Sequence, residues 1–196
     1  MDEEKREQLT VNRNGSARAI RGIETVYAGI KFRSRAEARW AAFFDNCGWR
    51  WRYEPIDLEG YIPDFIIGFA KPTIVEIKGH ALCVEQLRDS MPKLEATSWE
   101  GDAIVLGANP LWDDPKALNP IIGIISERDG MGWNWGDCLV HRCAICTKIS
   151  VHHDHGSWRC RVSGCYEGNR YIGGIEAAEL NERWARASNT TRWESP

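Results

Sequence analysis

Pro63-Asp64-Phe65-Ile66-Ile67, a turn over residues 68–72, and then Thr73-Ile74-Val75-Glu76-Ile77-Lys78-Gly79 is the stretch whose reading decides the fold. Residues 73–78 are apolar and partly β-branched, with Pro72 before them and Gly79 after, which predicts a buried strand. Side chains alternate along a strand, so Glu76 and Lys78 share one face while Val75 and Ile77 share the other. The apolar run that opens at Asp64 predicts a neighbouring strand. Two adjacent strands bring Asp64, Glu76 and Lys78 together at one edge of a sheet. A strand this apolar belongs in the middle of a sheet, where charge is rare unless it is paired or functional. Two carboxylates beside a lysine suit a hard divalent cation and a phosphate, the chemistry of a nuclease. An acid and a base two residues apart also occur on plain solvated faces. What separates the two readings is that the charges come as a set, preceded by Pro-Asp at a hairpin-like distance.

Outward from this stretch, Thr25 to Phe32 turns at Ala28-Gly29 and predicts a short β-ribbon. Ser34 then opens a helix that Gly48 stops. Residues 49–53 alternate aromatic side chains with arginine, the period of a strand with one buried face. Residues 82–95 predict a helix, 103–106 a strand, 121–125 a further strand after a loop rich in Pro and Asp, and 175–187 a terminal helix. The order α-β-β-β-α-β predicts an α/β core with a mixed sheet flanked by helices. The expected division is a flexible arm over 1–22, a core over 23–138, a small cysteine-bearing ribbon over 139–172, and a helix and tail over 173–196.

Length and composition set the frame. The 196 residues suit one substantial domain with a small appendage, and 27% charged residues predict a soluble chain. With no apolar span long enough for a bilayer and no signal peptide, the expectation is a cytoplasmic protein without membrane contact. Seven cysteines, an odd number, point to a reducing compartment and to metal binding over disulfides. The net charge of −3 hides an asymmetry: residues 11–53 hold nine Arg or Lys against three acids, and residues 54–130 hold six against fourteen. A basic region beside an acidic one fits an enzyme that grips phosphates with one surface and holds metal with another; a basic run can equally just solvate a helix.

Cys143-Ala-Ile-Cys146, thirteen residues, then Cys160-x₄-Cys165 pairs thiolates across a hairpin-length insert. That arrangement predicts a structural Zn²⁺ ribbon whose four sulfurs close the tetrahedron and leave no position for water. The second pair is two residues wider than the usual spacing. His152, His153 and His155 lie in the insert as alternative ligands, and Cys47, Cys83 and Cys138 are expected as buried fillers. Arg142, Lys148, Arg159, Arg161 and Arg170 surround the ribbon with Trp158, a mix suited to phosphate contact and base stacking, or to docking on the core or a partner. Trp40 and Trp49 are expected in the core, and Trp133, Trp135, Trp184 and Trp193 as candidates to line a groove.

Glu37 stands three residues after Ser34, where it would close a capping box; a glutamate on that helix could also complete a metal shell. Tyr27-x-Gly29-x-x-Phe32-x-Ser34-Arg35-x-Glu37, Tyr53-Glu54-Pro55, Tyr61-Ile62-Pro63-Asp64-Phe65 and Val75-Glu76-Ile77-Lys78, in this order over residues 25–80, resemble the PD-(D/E)XK nuclease superfamily. The similarity is to the branch holding transposon endonuclease subunits and phage junction nucleases. The resemblance implies a restriction-endonuclease-like core, with Glu37 as the helical acid, Asp64 and Glu76 as ligands of Mg²⁺ or Mn²⁺, the Ile77 carbonyl completing the shell, and Lys78 as the catalytic lysine. It implies DNA as the partner, endonucleolytic hydrolysis as the activity, and a protein partner or homodimer as an option. Arg33, Arg35, Arg159 and Arg161 are the candidate nucleic-acid contacts. A chain of this kind can alternatively serve as a binding or assembly subunit of a recombination, transposition or defence complex.

Overall fold

The computed structural model describes residues 22–111, 114, 116–129, 132–155, 159–165 and 172–192. Gly22 apart, the expected N-terminal arm lies outside the described residues, as do Trp158, Arg170 and Trp193. The first elements follow the sequence pattern. β1 (Thr25–Tyr27) and β2 (Ile30–Phe32) form an antiparallel ribbon whose turn places Ala28 and Gly29 at positive φ. α1 (Arg35–Asn46) follows, with Ser34 as its N-cap and Gly48 at φ 73° just beyond its end. It buries Trp40, Phe43 and Phe44 on one side.

The remaining strands make one mixed sheet. In spatial order it runs β10 (Ile172–Gly173), β8 (Gly132–Cys143), β7 (Ile121–Asp129), β6 (Asp102–Leu106), β5 (Thr73–Ile77), β4 (Phe65–Ile67) and β3 (Trp51–Tyr53), and β9 (Ile149–His153) also pairs with β8. β5 and β6 pair in parallel, and the other pairings in this sheet are antiparallel. The parallel pair needs a crossover, which α2 (Val84–Arg88) and α3 (Met91–Glu95) supply. Sequence pattern predicted one helix over 82–95; the chain breaks it at Asp89-Ser90, because Pro92 has no N–H for a continuing ladder.

Strand alternation sorts the core into two layers. Phe65, Ile67, Val75 and Ile77 face α1 and α4 (Ala177–Thr190), while Ile66, Ile74, Ala103 and Val105 face Leu87 of α2 and Leu94 of α3. Two indoles fasten α1 and its exit to the sheet: Trp40 Nε1 donates to the Gly107 carbonyl and Trp49 Nε1 to the Ile149 carbonyl, each at 2.8 Å. Trp184 joins this layer half-buried, with its ring 4.7 Å from that of Trp40. Trp133 and Trp135 lie nearly parallel against the α2–α3 layer.

Two expectations need correction. The boundary at 138/139 falls inside β8, a strand of twelve residues that runs without a break from the core to Cys143. The cysteine segment is therefore an extension of the main sheet, with β9 hydrogen-bonded to β8 over 138–142. Buried residues on β8 and β9, Val140, Ile149 and Val151 among them, belong to the same core as α1, and that shared burial removes the reason for a separate small domain. Cys47 and Cys138 are buried as expected, but Cys83 is exposed at the N-cap of α2.

Candidate functional site

Register places the acidic residues. Phe65 pairs with Val75, so the antiparallel ladder sets Asp64 opposite Glu76, one step beyond the last named pair of β4 and β5. Asp64 is only 4% exposed. Its Oδ2 accepts from the Ile77 N–H at 2.7 Å and its Oδ1 from Arg33 Nη2 at 2.8 Å. Burial raises the Asp64 pKa, the nearby charges of Glu76 and Glu37 raise it further, and the Ile77 N–H and Arg33 oppose them; the balance pushes it up to about 7. Glu76 and Lys78 are half-buried and share one side of the chain, with Lys78 Nζ 2.6 Å from Glu76 Oε1. Glu76 Oε2 accepts from the Tyr61 hydroxyl, also at 2.6 Å. Burial and the Glu76 carboxylate raise the Tyr61 pKa, so it remains a donor.

Glu37 reaches the same corner from the opposite layer. Ser34 Oγ accepts from the Glu37 N–H at 3.2 Å and donates to Glu37 Oε1 at 2.8 Å, a capping interaction closed through the side chains. Glu37 Oε2 takes the Tyr53 hydroxyl at 2.6 Å and the Arg33 N–H at 3.2 Å. Arg33 bridges further, pairing with both Asp64 and Glu54. The structure thus brings together Glu37, Asp64, Glu76 and Lys78, and adds Tyr53, Glu54 and Tyr61. The added residues stand in Tyr53-Glu54-Pro55 and Tyr61-Ile62-Pro63-Asp64; what went unread was that their hydroxyls and carboxylate hold the charged set. An open cavity of about 680 Å³ adjoins the corner and is lined by Arg33, Arg35, Glu37, Ile77, Gly79 and His80.

Carboxylate oxygens are the donors that a hard cation takes. Each carboxylate oxygen of Asp64, Glu76 and Glu37 already has a protein donor. Among the described residues, the one group of three or more His, Cys, Asp or Glu with ligand atoms close enough to share an ion is Cys143, Cys146, Cys160 and Cys165.

In that group the sulfurs lie within 4.8 Å of one another. A tetrahedral Zn–S shell at about 2.3 Å sets its sulfurs about 3.8 Å apart, and Cys146 Sγ lies 3.7 Å from Cys160 Sγ. The two loops are built alike. In the first, Cys146 N–H points at Cys143 Sγ (3.5 Å), the Thr147 N–H donates to the Cys143 carbonyl (2.9 Å), and Thr147 sits at φ 60°. In the second, Ser163 N–H points at Cys160 Sγ (3.5 Å), the Gly164 N–H donates to the Cys160 carbonyl (2.8 Å), and Gly164 sits at φ 67°. Ser163 occupies the place that Cys146 has in the first loop, so the second ligand arrives after the left-handed glycine, at Cys165. That accounts for the wider spacing. The four sulfurs can share one metal ion such as zinc. Burial and the Cys146 sulfur push Cys165 up to about 12, while at Cys146 burial is outweighed by N–H and side-chain donors, which bring it down to about 6.

The histidines are elsewhere. His152 and His153 are buried in β9; His152 Nδ1 meets His141 Nδ1 at 3.2 Å, and His153 Nε2 meets the Asn134 carbonyl. Exposed His155 sits beside Asp154. His152 and His153 point to opposite faces of β9, and none of the three belongs to the four-cysteine group. Arg161 also departs from expectation. It is 5% exposed and binds Asp102, Glu127 and the Val151 carbonyl, joining the second cysteine loop to β6, β7 and β9. A buried, fully paired guanidinium is not a surface for nucleic acid. Arg159 is exposed at the mouth of a smaller cavity beside the loop. No helix among the described residues is long and apolar enough to cross a membrane. Comparison of the chain with protein-family models, with curated proteins and with solved structures found no match.

Proposed function

We propose that this chain is a metal-dependent nuclease that hydrolyses phosphodiester bonds in DNA, built on a restriction-endonuclease-like core of the PD-(D/E)XK kind. The observation that carries this reading is the register that sets buried Asp64 across from Glu76, with Lys78 bonded to Glu76, at one end of the parallel β5–β6 pair. Asp64, Glu76 and the Ile77 carbonyl would hold Mg²⁺ or Mn²⁺. The ion, when bound, neutralises the phosphate and makes water a better nucleophile. Lys78 then serves the reacting phosphate, orienting the attacking water or meeting developing negative charge, once its ammonium leaves Glu76. Tyr61 holds the second Glu76 oxygen and fixes the carboxylate plane. Glu37 acts at one remove, fixing Tyr53 and the Arg33 backbone while the Arg33 side chain positions Asp64. The four cysteines hold a structural Zn²⁺, and their closed shell takes no part in hydrolysis.

The test is purified chain with Mg²⁺, Mn²⁺ or Ca²⁺ on linear, nicked, branched and single-stranded DNA and on RNA. Cleavage with Mg²⁺ or Mn²⁺ that Asp64→Asn abolishes supports the reading. Cleavage untouched by Asp64→Asn places the chemistry elsewhere.

A second reading, an assembly or nucleic-acid-binding subunit acting through a protein partner or as a homodimer, draws on a specific observation. The carboxylate oxygens of the corner are already satisfied by Arg33, Tyr53, Tyr61, Lys78 and backbone donors, as they would be in a relative that had no use for metal. Binding to DNA with no cleavage on any substrate, in any of the three metals, favours this alternative.

A further inference from the structure

Arg33, expected as a phosphate contact, spends its guanidinium on Asp64 and Glu54. Two further cations beside this corner are Arg35 and Arg39, one turn apart on α1 and therefore neighbours on its surface. Neither forms an ion pair with a described carboxylate, whereas Arg33, Arg142, Arg161 and Arg183 all do. Both Nε atoms are shielded from solvent and have no hydrogen-bond partner among the described residues. The Arg39 guanidinium lies over the Trp184 ring, 5.5 Å from its centroid, with Asn109 Oδ1 3.5 Å from Nη1. Trp184 is itself packed against Trp40 and Phe43, so the aromatic shelf under Arg39 is rigid. Arg35 lines the cavity that Glu37 and Ile77 share.

We propose that Arg35 and Arg39 form a phosphate-binding subsite that holds the polynucleotide backbone beside the reacting phosphate; the proposal deepens the nuclease reading and rests on it for the identity of the ligand. The physical case is a pair of like charges held close with no carboxylate paired to either among the described residues. Burial and the Arg35 charge both lower the Arg39 pKa, a cost that a bound anion removes. A guanidinium resting over an indole, with only a long contact to Asn109, has N–H groups to spare for phosphate oxygens. The same two residues would lead the strand from the cavity along α1, away from the carboxylates that would repel it.

The experiment measures fluorescence anisotropy of labelled duplex DNA, and of one of its strands, with the full chain in Ca²⁺ across a KCl series, alongside cleavage in Mg²⁺. Arg35→Gln/Arg39→Gln should weaken binding at least tenfold and reduce the slope of log affinity against log salt by roughly two, one for each phosphate no longer neutralised. Arg35→Lys/Arg39→Lys keeps the charges and should keep most of the slope, which separates phosphate binding from a folding defect. Unchanged affinity and slope in the Gln variant, with cleavage intact in the parent, overturns the subsite and leaves the nuclease reading standing. Loss of affinity and slope in a chain that cleaves nothing supports the subsite and removes the nuclease. A parent chain that binds no nucleic acid overturns both.

Discussion

The Ile77 backbone N–H donates to Asp64 Oδ2 at 2.7 Å, so the strand that carries Glu76 also fixes the carboxylate across from it. Asp64 therefore has a structural duty as well as a proposed chemical one. Asp64→Asn keeps an oxygen for Ile77 and should abolish Mg²⁺-dependent cleavage, by at least a hundredfold, with little change in melting temperature. Asp64→Ala leaves the Ile77 N–H without its acceptor and Arg33 with Glu54 alone, and should cost an additional ~1–3 kcal/mol of stability. Cleavage assays and urea denaturation on the two variants separate the duties. Equal stability of Asn and Ala variants would show that the Ile77 bond contributes nothing.

The raised Asp64 pKa gives a pH signature. The folded value of about 7 lies above the unfolded value, so in the metal-free chain this group's contribution to stability is full below the unfolded pKa. It is lost as pH rises toward and through 7, when burial beside Glu76 opposes ionisation. A divalent cation reverses that loss by pairing with the ionised form. Mg²⁺ at a few millimolar should therefore raise the melting temperature more at pH 8 than at pH 5.5, and Asp64→Asn should erase the difference. A Mg²⁺ shift that is the same at both pH values, or is retained in Asp64→Asn, would count against metal at this corner.

Glu37 offers a sharper division between capping and chemistry. Its carboxylate takes Ser34 Oγ, the Tyr53 hydroxyl and the Arg33 N–H. Burial and the Glu37 hydrogen bond push the Tyr53 pKa up to about 12, so the phenol stays a donor through the neutral range. Glu37→Gln retains one good acceptor and should cost about 1 kcal/mol of stability while reducing cleavage no more than tenfold. A loss of a thousandfold or more with stability unchanged would make Glu37 a direct ligand.

The corner was legible in sequence because its parts are local. Asp64 immediately precedes β4, Glu76 lies on β5 and Lys78 immediately follows it; the two strands are joined by a short turn, and a period of two assigns the faces without reference to the rest of the chain. Ser34-x-x-Glu37 is equally local. The ties that cross long intervals were not legible. Arg161 reads as one more surface arginine beside a ribbon, and nothing near it announces Asp102, fifty-nine residues earlier, as its partner. β8 was missed for a related reason: Gly132 to Gly136 interleaves tryptophans with glycine and asparagine, a pattern of a turn, while the pairing that makes it a strand comes from β7. The same strand dissolves the boundary expected between core and ribbon.

Arg161 yields a prediction opposite to the one its position suggests. Its guanidinium is buried between Asp102, Glu127 and the Val151 carbonyl, where removing it takes a buried cation from two carboxylates and leaves Asp102 with Lys71. Arg161→Ala should destabilise the chain by ~3–5 kcal/mol. Arg161→Met, which fills the space but not the charge, should recover only part of that. Denaturant midpoints measure the loss. A soluble, fully stable Arg161→Ala protein with weakened DNA binding would restore the surface role.

Zinc removal should reach further than the cysteine loops. The first loop ends β8, the second is tied through Arg161 to β6, β7 and β9, and β9 pairs with β8 between them. A ligand that binds only the folded chain stabilises the whole cooperative unit, and its loss lowers that unit's stability. Freshly purified, reduced protein should carry one zinc per chain by elemental analysis. Cys146→Ser, or stripping by a strong chelator, should lower the melting temperature by more than about 5 °C in a single transition. Hydrogen exchange should then rise along Val140 and Val151 as well as at the cysteines, because those strand residues lie in the same core. Two separate transitions, with β8 and β9 still protected after zinc loss, would show that the loops fold as an independent unit. Protein without zinc that melts no lower than the zinc-loaded chain would remove the metal from the structure altogether.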